Sequence, residues 1–144
     1  MKQLLNNINS PLDIKNLSIE SLPTLSKEVN KYIRGIIEEM GGHYSSPLGV
    51  IDLTIALHYI YNSPNDKIIW DVGHQAYAHK ILTGRREQFK NIRSKEGISG
   101  FLKRNESQHD IFGAGHASTS ISAALGFAHG RDRDNSDNQV VAII

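Results

Sequence analysis

Two short apolar runs, residues 67–70 (Lys-Ile-Ile-Trp) and 139–144 (Gln-Val-Val-Ala-Ile-Ile), constrain the fold of this chain more than any other feature. Neither alternates polar with apolar, so each reads as a strand covered on both faces, the habit of parallel sheets. The segments around them are helical in pattern. The fold class that follows is α/β: an open parallel sheet with flanking helices.

From Leu25 onward, Leu25, Val29, Tyr32, Ile33, Ile36, Ile37 and Met40 recur every three or four positions and place one stripe of a helix on the core. Pro23 and Thr24 suit its start, and Gly41-Gly42 suit its end. The spacing predicts a second helix over 48–61, apolar nearly all round and therefore largely buried. Residues 62–66 carry turn chemistry. Short helices are predicted at 76–82 and 86–92, divided by Thr83-Gly84, and the cations Lys80, Arg85, Arg86, Lys90 and Arg93 read as a solvated surface. Residues 94–110 make a long polar loop, of the kind that serves as a lid or simply moves. A small-residue stretch, 113–120, then feeds a helix with Ile121, Ala124, Leu125 and Ala128 on one side.

Composition excludes several function classes. With 144 residues, 39% of them hydrophobic and 22% charged, the chain has the makings of one folded core. Sixteen Lys and Arg against fifteen Asp and Glu leave a net charge of +1, too small and too evenly spread for a nucleic-acid backbone. The absence of cysteine removes disulfides, thiolate metal sites and a Cys nucleophile. No signal-peptide pattern opens the chain, and no apolar run nears the ~20 residues that span a bilayer. The chain therefore reads as soluble and cytoplasmic, with neither nucleic acid nor membrane as partner. Asp132, Asp134 and Asp137 lack the glycine and distal glutamate of a calcium loop.

Seven histidines invite a metal reading, yet no His-Glu-x-x-His pattern occurs and no carboxylate stands at a ligand-like offset from His74 and His79, so no metal site is assigned. Three histidines share one setting instead. Gly42-His43, Gly73-His74 and Gly115-His116 each put an imidazole after a glycine in a turn, where it can meet phosphates or shuttle protons near neutral pH. His74 follows the carboxyl end of the first strand, where open α/β sheets bind ligands. Gly115-His116-Ala117 leads into a helix N-terminus, whose free amides and dipole favour a phosphate, although neither the P-loop nor the dinucleotide pattern is present. Taken singly, His43 reads equally as a surface histidine beside a helix C-cap.

Gly41-Gly42-His43, Ser45-Ser46-Pro47-Leu48-Gly49-Val50, Leu57-His58-Tyr59, Trp70-Asp71-Val72-Gly73-His74-Gln75-Ala76-Tyr77, His79-Lys80-Ile81-Leu82-Thr83-Gly84-Arg85-Arg86 and Gly115-His116-Ala117-Ser118-Thr119-Ser120-Ile121-Ser122 occur in that order. Over residues 17–144 the chain thereby resembles the 1-deoxy-D-xylulose-5-phosphate synthases. Transketolases are similar more distantly, without the Trp-Asp-Val-Gly-His-Gln segment. The resemblance implies a thiamine-diphosphate- and magnesium-dependent transferase of transketolase type, homodimeric in the parent enzyme. It would condense pyruvate with glyceraldehyde 3-phosphate, losing carbon dioxide, to supply isoprenoid, thiamine and pyridoxal synthesis. Carried over by motif, His74, Gly115, His116 and Ala117 would bind the cofactor, His43 would be catalytic in proton transfer, and Ser45 would neighbour the substrate.

The chain departs from the family pattern in three places. It has Gly-His-Ala-Ser where the family has Gly-His-Ser-Ser, its 99–110 loop lacks a proline-rich start, and the Gly-Asp-Gly motif and later Asn that hold magnesium in relatives are not in the sequence. Residues 1–144 are accordingly expected to form the first half of a diphosphate-binding N-terminal domain, cut short before the metal motif and later domains, and inactive alone. A non-catalytic binding or scaffold module and a truncated transketolase-like subunit stay open as other readings.

Overall fold

A computed structural model describes residues 3–113 and 115–144, and the chain divides into two compact units: residues up to Ile60 with His74–Gly100, and Tyr61–Gly73 with Phe101–Ile144. The first unit is helical. After a 3-10 turn at Leu4–Asn7 comes α1 (Pro11–Lys15), whose start is held by the Asp13 carboxylate accepting the N–H groups of Asn9 and Ser10 at 2.9 and 2.8 Å. Lys15 Nζ donates to the carbonyl oxygens of Tyr59 and Ile60, both at 3.0 Å, and so sets a cation against the C-terminus of α4 (Ile51–Ile60).

The long helix α2 (Leu22–Met40) follows the predicted stripe: Leu25, Val29, Ile33 and Ile37 are buried, and Gly41 ends it at φ +73° with its N–H donating to Ile37 O. Around that stripe pack Ile14, Ile51, Ile55, Tyr77, Ile81 and Phe89. The predicted second helix is two helices, α3 (Ser45–Gly49) and α4, separated at Val50. It is also less buried than its composition suggests. Leu53 and Ile60 are 45% and 66% exposed, while polar Thr54 and His58 take buried places, because hydroxyl and imidazole are satisfied locally and a helix this short has one inward stripe.

The unit continues with α5 (Tyr77–Lys80), a wide turn at Ile81–Arg85, and α6 (Arg86–Phe89). The turn breaks at Thr83-Gly84, where the sequence places it. Gly84 stands at φ +91°, and an added Cβ would lie 2.9 Å from Asn9 O, so glycine is required there. The reading of the cations as one solvated surface is corrected: Lys80 is 0% and Arg85 4% exposed, both on a segment buried nearly throughout, and Arg85 Nη2 donates to Thr83 Oγ1 at 2.9 Å. Lys90 does lie outward and pairs with Glu87, whereas Arg86, which also meets Glu87, is mostly covered and donates to Leu5 O.

The second unit holds the sheet. Strands β1 (Lys67–Trp70) and β2 (Val140–Ile143) pair in parallel, in register from Lys67↔Val140 to Trp70↔Ile143, and α7 (Ser120–Arg133) packs along them. The α/β class holds. The Asp66 carboxylate accepts the N–H groups of Asn62 and Gln139 at 2.6 and 2.7 Å, joining the two strand starts. Residues 101–113 form neither helix nor strand but are anchored: Leu102, His109 and Asp110 are buried, Asp110 accepts the Lys103 N–H, and Ser63 Oγ meets His109 Nδ1 at 2.9 Å. On α7 the apolar side read from the sequence faces outward at Ile121 and Leu125. Among the described residues, no helix is long and apolar enough to cross a membrane.

The burial pattern of the first unit predicts that Ile33→Ala destabilises it by about 2–5 kcal/mol, the usual cost of emptying a closed aliphatic site. Leu53→Ala on exposed α4 surface should cost no more than ~0.5 kcal/mol. Urea titration of both variants checks the contrast.

Candidate functional site

In the first unit the site is assembled where α2 ends. Gly41 and Gly42 take φ of +73° and +143°, a backbone path that β-carbon-bearing residues rarely adopt, and the path delivers His43 beside His74. The two imidazole centroids are 5.1 Å apart, edge against face at 61°. Beneath them lies Tyr77, fully buried at the start of α5, its ring centroid 6.5 Å from that of His43.

Burial holds the His43 imidazole below the ordinary histidine value of 6.5, and the nearby charges of His74 and Arg93 add to the shift. Its neutral form, able to accept a proton, therefore persists further into the acid range. His74 Nδ1 is buried and has no hydrogen-bond partner among the described residues. A hydrogen-bonding group left so is available to a ligand. His79, spaced in sequence to pair with His74, is instead stacked on His58 with Nε2 and Nδ1 3.0 Å apart, and both are buried. Ser45, two residues beyond His43, opens α3 and is exposed.

Gly115, His116 and Ala117 belong to the second unit, where all three are exposed ahead of α7. Gly115 stands at φ +140° and an added Cβ would meet nothing within 4 Å, so the turn borders open space. Ala114, next to it, lies outside the described residues. The Asp71 carboxylate, at the end of β1, accepts the N–H groups of Ser118, Thr119 and Ser120 at 2.9, 3.0 and 3.1 Å. The entry to α7, read as open to a phosphate, thus has the amides of Ser118, Thr119 and Ser120 already taken by a carboxylate of the chain itself. These bonds, led by that from Ser118, hold the Asp71 carboxyl below the usual 3.8.

The structure therefore brings His43 and His74 together and sets Gly115, His116 and Ala117 in the other unit. Sequence reasoning passed over Asp71 and Tyr77, although both lie inside the motif that carried His74. The available signal for Asp71 was an acidic residue directly after a strand in a chain with a glycine-rich helix start. Among the described residues, no group of three or more His, Cys, Asp or Glu is placed to hold a metal ion.

A family model described as 1-deoxy-D-xylulose-5-phosphate synthase matches residues 5–144. Proteins of that name from Caldanaerobacter subterraneus subsp. tengcongensis and Dehalococcoides mccartyi are 55% and 56% identical over 98% and 100% of this chain. One named 1-deoxy-D-xylulose-5-phosphate synthase 1, chloroplastic, from Oryza sativa subsp. japonica, is 53% identical over 98%. The chain spans 23%, 23% and 20% of the lengths of these three relatives.

The Asp71 geometry predicts an acid-sensitive cap. Because its folded value lies below the unfolded one, its stabilisation is complete above the ordinary 3.8 and is lost as the pH falls through the lower folded value. Asp71→Asn should remove that part of the acid dependence and speed hydrogen exchange at the Ser118, Thr119 and Ser120 amides at neutral pH. Melting curves against pH and amide-exchange NMR check both.

Proposed function

This chain belongs to the 1-deoxy-D-xylulose-5-phosphate synthase family, and from that premise we propose that it forms the first half of the diphosphate-binding domain of a thiamine-diphosphate-dependent transferase of transketolase type. The full-length protein, a homodimer, condenses pyruvate with glyceraldehyde 3-phosphate, releasing carbon dioxide, and its product feeds isoprenoid, thiamine and pyridoxal synthesis. One observation carries the reading: two imidazoles 5.1 Å apart, one with its titration lowered by burial and the other with a buried nitrogen that lacks a partner among the described residues.

Thiamine diphosphate, when bound, supplies the carbanion chemistry that protein side chains do not. His74 fits such a group, since its buried Nδ1 can meet a polar ligand atom. Gly115, His116 and Ala117 fit it as an exposed turn bordering open space, able to offer main-chain groups and an imidazole to a phosphate. His43 accepts or returns a proton at the reacting centre, a role suited to an imidazole that stays neutral below 6.5. Ser45 borders the substrate. The described residues offer no carboxylate cluster for magnesium, so no step is assigned to the metal here. Turnover accordingly belongs to the full-length protein and not to these 144 residues by themselves.

In the full-length protein His43→Ala should lower kcat by about 10²–10⁴-fold while leaving cofactor affinity nearly intact, the loss typical of a proton-transfer group. His74→Ala should instead weaken thiamine diphosphate binding about tenfold or more, the size of one lost hydrogen bond to a charged ligand. Steady-state kinetics and calorimetric cofactor titration read the two effects. A His43→Ala variant with undiminished kcat would overturn the assignment.

A further inference from the structure

The phenol of Tyr77 is fully buried, yet its hydroxyl ends beside the turn that carries His43. Its ring is fixed from below by Phe89, edge-on at 5.3 Å and 71°, and Phe89 in turn meets Tyr32 at 6.4 Å. From this anchored position Tyr77 Oη accepts the His43 main-chain N–H at 3.4 Å. A bond of that length is weak. The same oxygen would lie 3.0 Å from a Cβ at Gly42, so the turn passes over the phenol at a closeness that suits glycine. Gly41 and Gly42 are the residues that permit this path, and the phenol is what the path lies against. Two soft dihedrals at each glycine would otherwise leave the His43 backbone with many orientations.

We propose that Tyr77 is a positioning residue, whose buried hydroxyl holds the His43 main chain so that the imidazole is presented edge-on to His74. This rests on the proton-transfer role assigned above to His43. Tyr77 touches neither substrate nor cofactor in this account. It acts through the His43 backbone, and the groups that then face the His43 ring are His74, Arg93 and Tyr77 itself.

The test is Tyr77→Phe in the full-length protein, which keeps the ring and its packing on Phe89 and removes only the oxygen. Gly42→Ala serves as a second, independent disturbance of the same contact. With His43 less confined, its titration, followed by NMR of ¹³C-labelled histidine without substrate, should move up toward 6.5 in both variants. The acid limb of kcat/KM should move in the same direction, and kcat should fall roughly tenfold to a hundredfold, the scale of a small misplacement of a reacting group. Packing alone would make Tyr77→Phe equal to wild type in titration and kinetics. That result, with His43→Ala inactive, overturns the positioning role and leaves the proposed function standing. An active His43→Ala variant overturns the proposed function, and the NMR titration then still decides whether Tyr77 sets the environment of His43.

Discussion

The bonds between the Asp71 carboxylate and the amides of Ser118, Thr119 and Ser120, where the chain enters α7, are the interaction on which the second unit depends. It joins the end of β1 to the start of α7, and it satisfies donors that a helix start otherwise leaves to water. Without it the serine- and glycine-rich approach to α7 would have little to fix it, since residues 115–118 are exposed and contribute no core. The first unit is organised differently. There the α2 stripe buries against α4, α5 and α6, and side-chain hydrogen bonds tie elements together as well, Lys15 of α1 to the end of α4 and Ser26 of α2 to Asp52 of α4.

Much of this was legible in the sequence. The α2 stripe, the glycine stop at Gly41, both strands and the break at Thr83-Gly84 follow from periodicity and turn chemistry, which are local and act wherever the chain sits. The misses share a cause. Lys80 and Arg85 look like surface residues because charge normally stays in water, and only the packing of α5 and the turn after it buries them. Leu53, Ile121 and Leu125 look like core residues because they are apolar, but the outward face of a short helix need not be polar. For α1 the signal existed: Ser10, Pro11 and Asp13 have the spacing of a helix start, and the structure uses them so.

The candidate site divides along the same line. Glycine-histidine pairs mark turns that carry imidazoles, and this local signal located His43, His74 and His116. Which imidazoles meet is a tertiary fact. Sequence spacing favours His74 with His79, whereas the fold gives His79 to His58 and His74 to His43. The entry to α7 shows the same, because an anion that a helix start attracts can come from anywhere in the chain, and the one bound by the Ser118, Thr119 and Ser120 amides comes from a residue 47 to 49 positions earlier.

The carboxylate at the other end of β1 has a consequence for how the sheet can form. Asp66 accepts the Gln139 N–H just ahead of β2, while the Asp71 N–H donates to Ile143 O at the far end. Four paired residues are too few to select a single alignment by hydrophobicity, especially when all of them but Lys67 are apolar. The Asp66 contact marks the alignment: sliding one strand along the other, even by the two residues that would preserve its facing, takes the Gln139 N–H away from that carboxylate, whereas the Asp71 N–H would meet another ladder carbonyl. A side chain placed just ahead of β1 thus fixes the register of a strand whose first flanking residue lies 73 positions later in the chain.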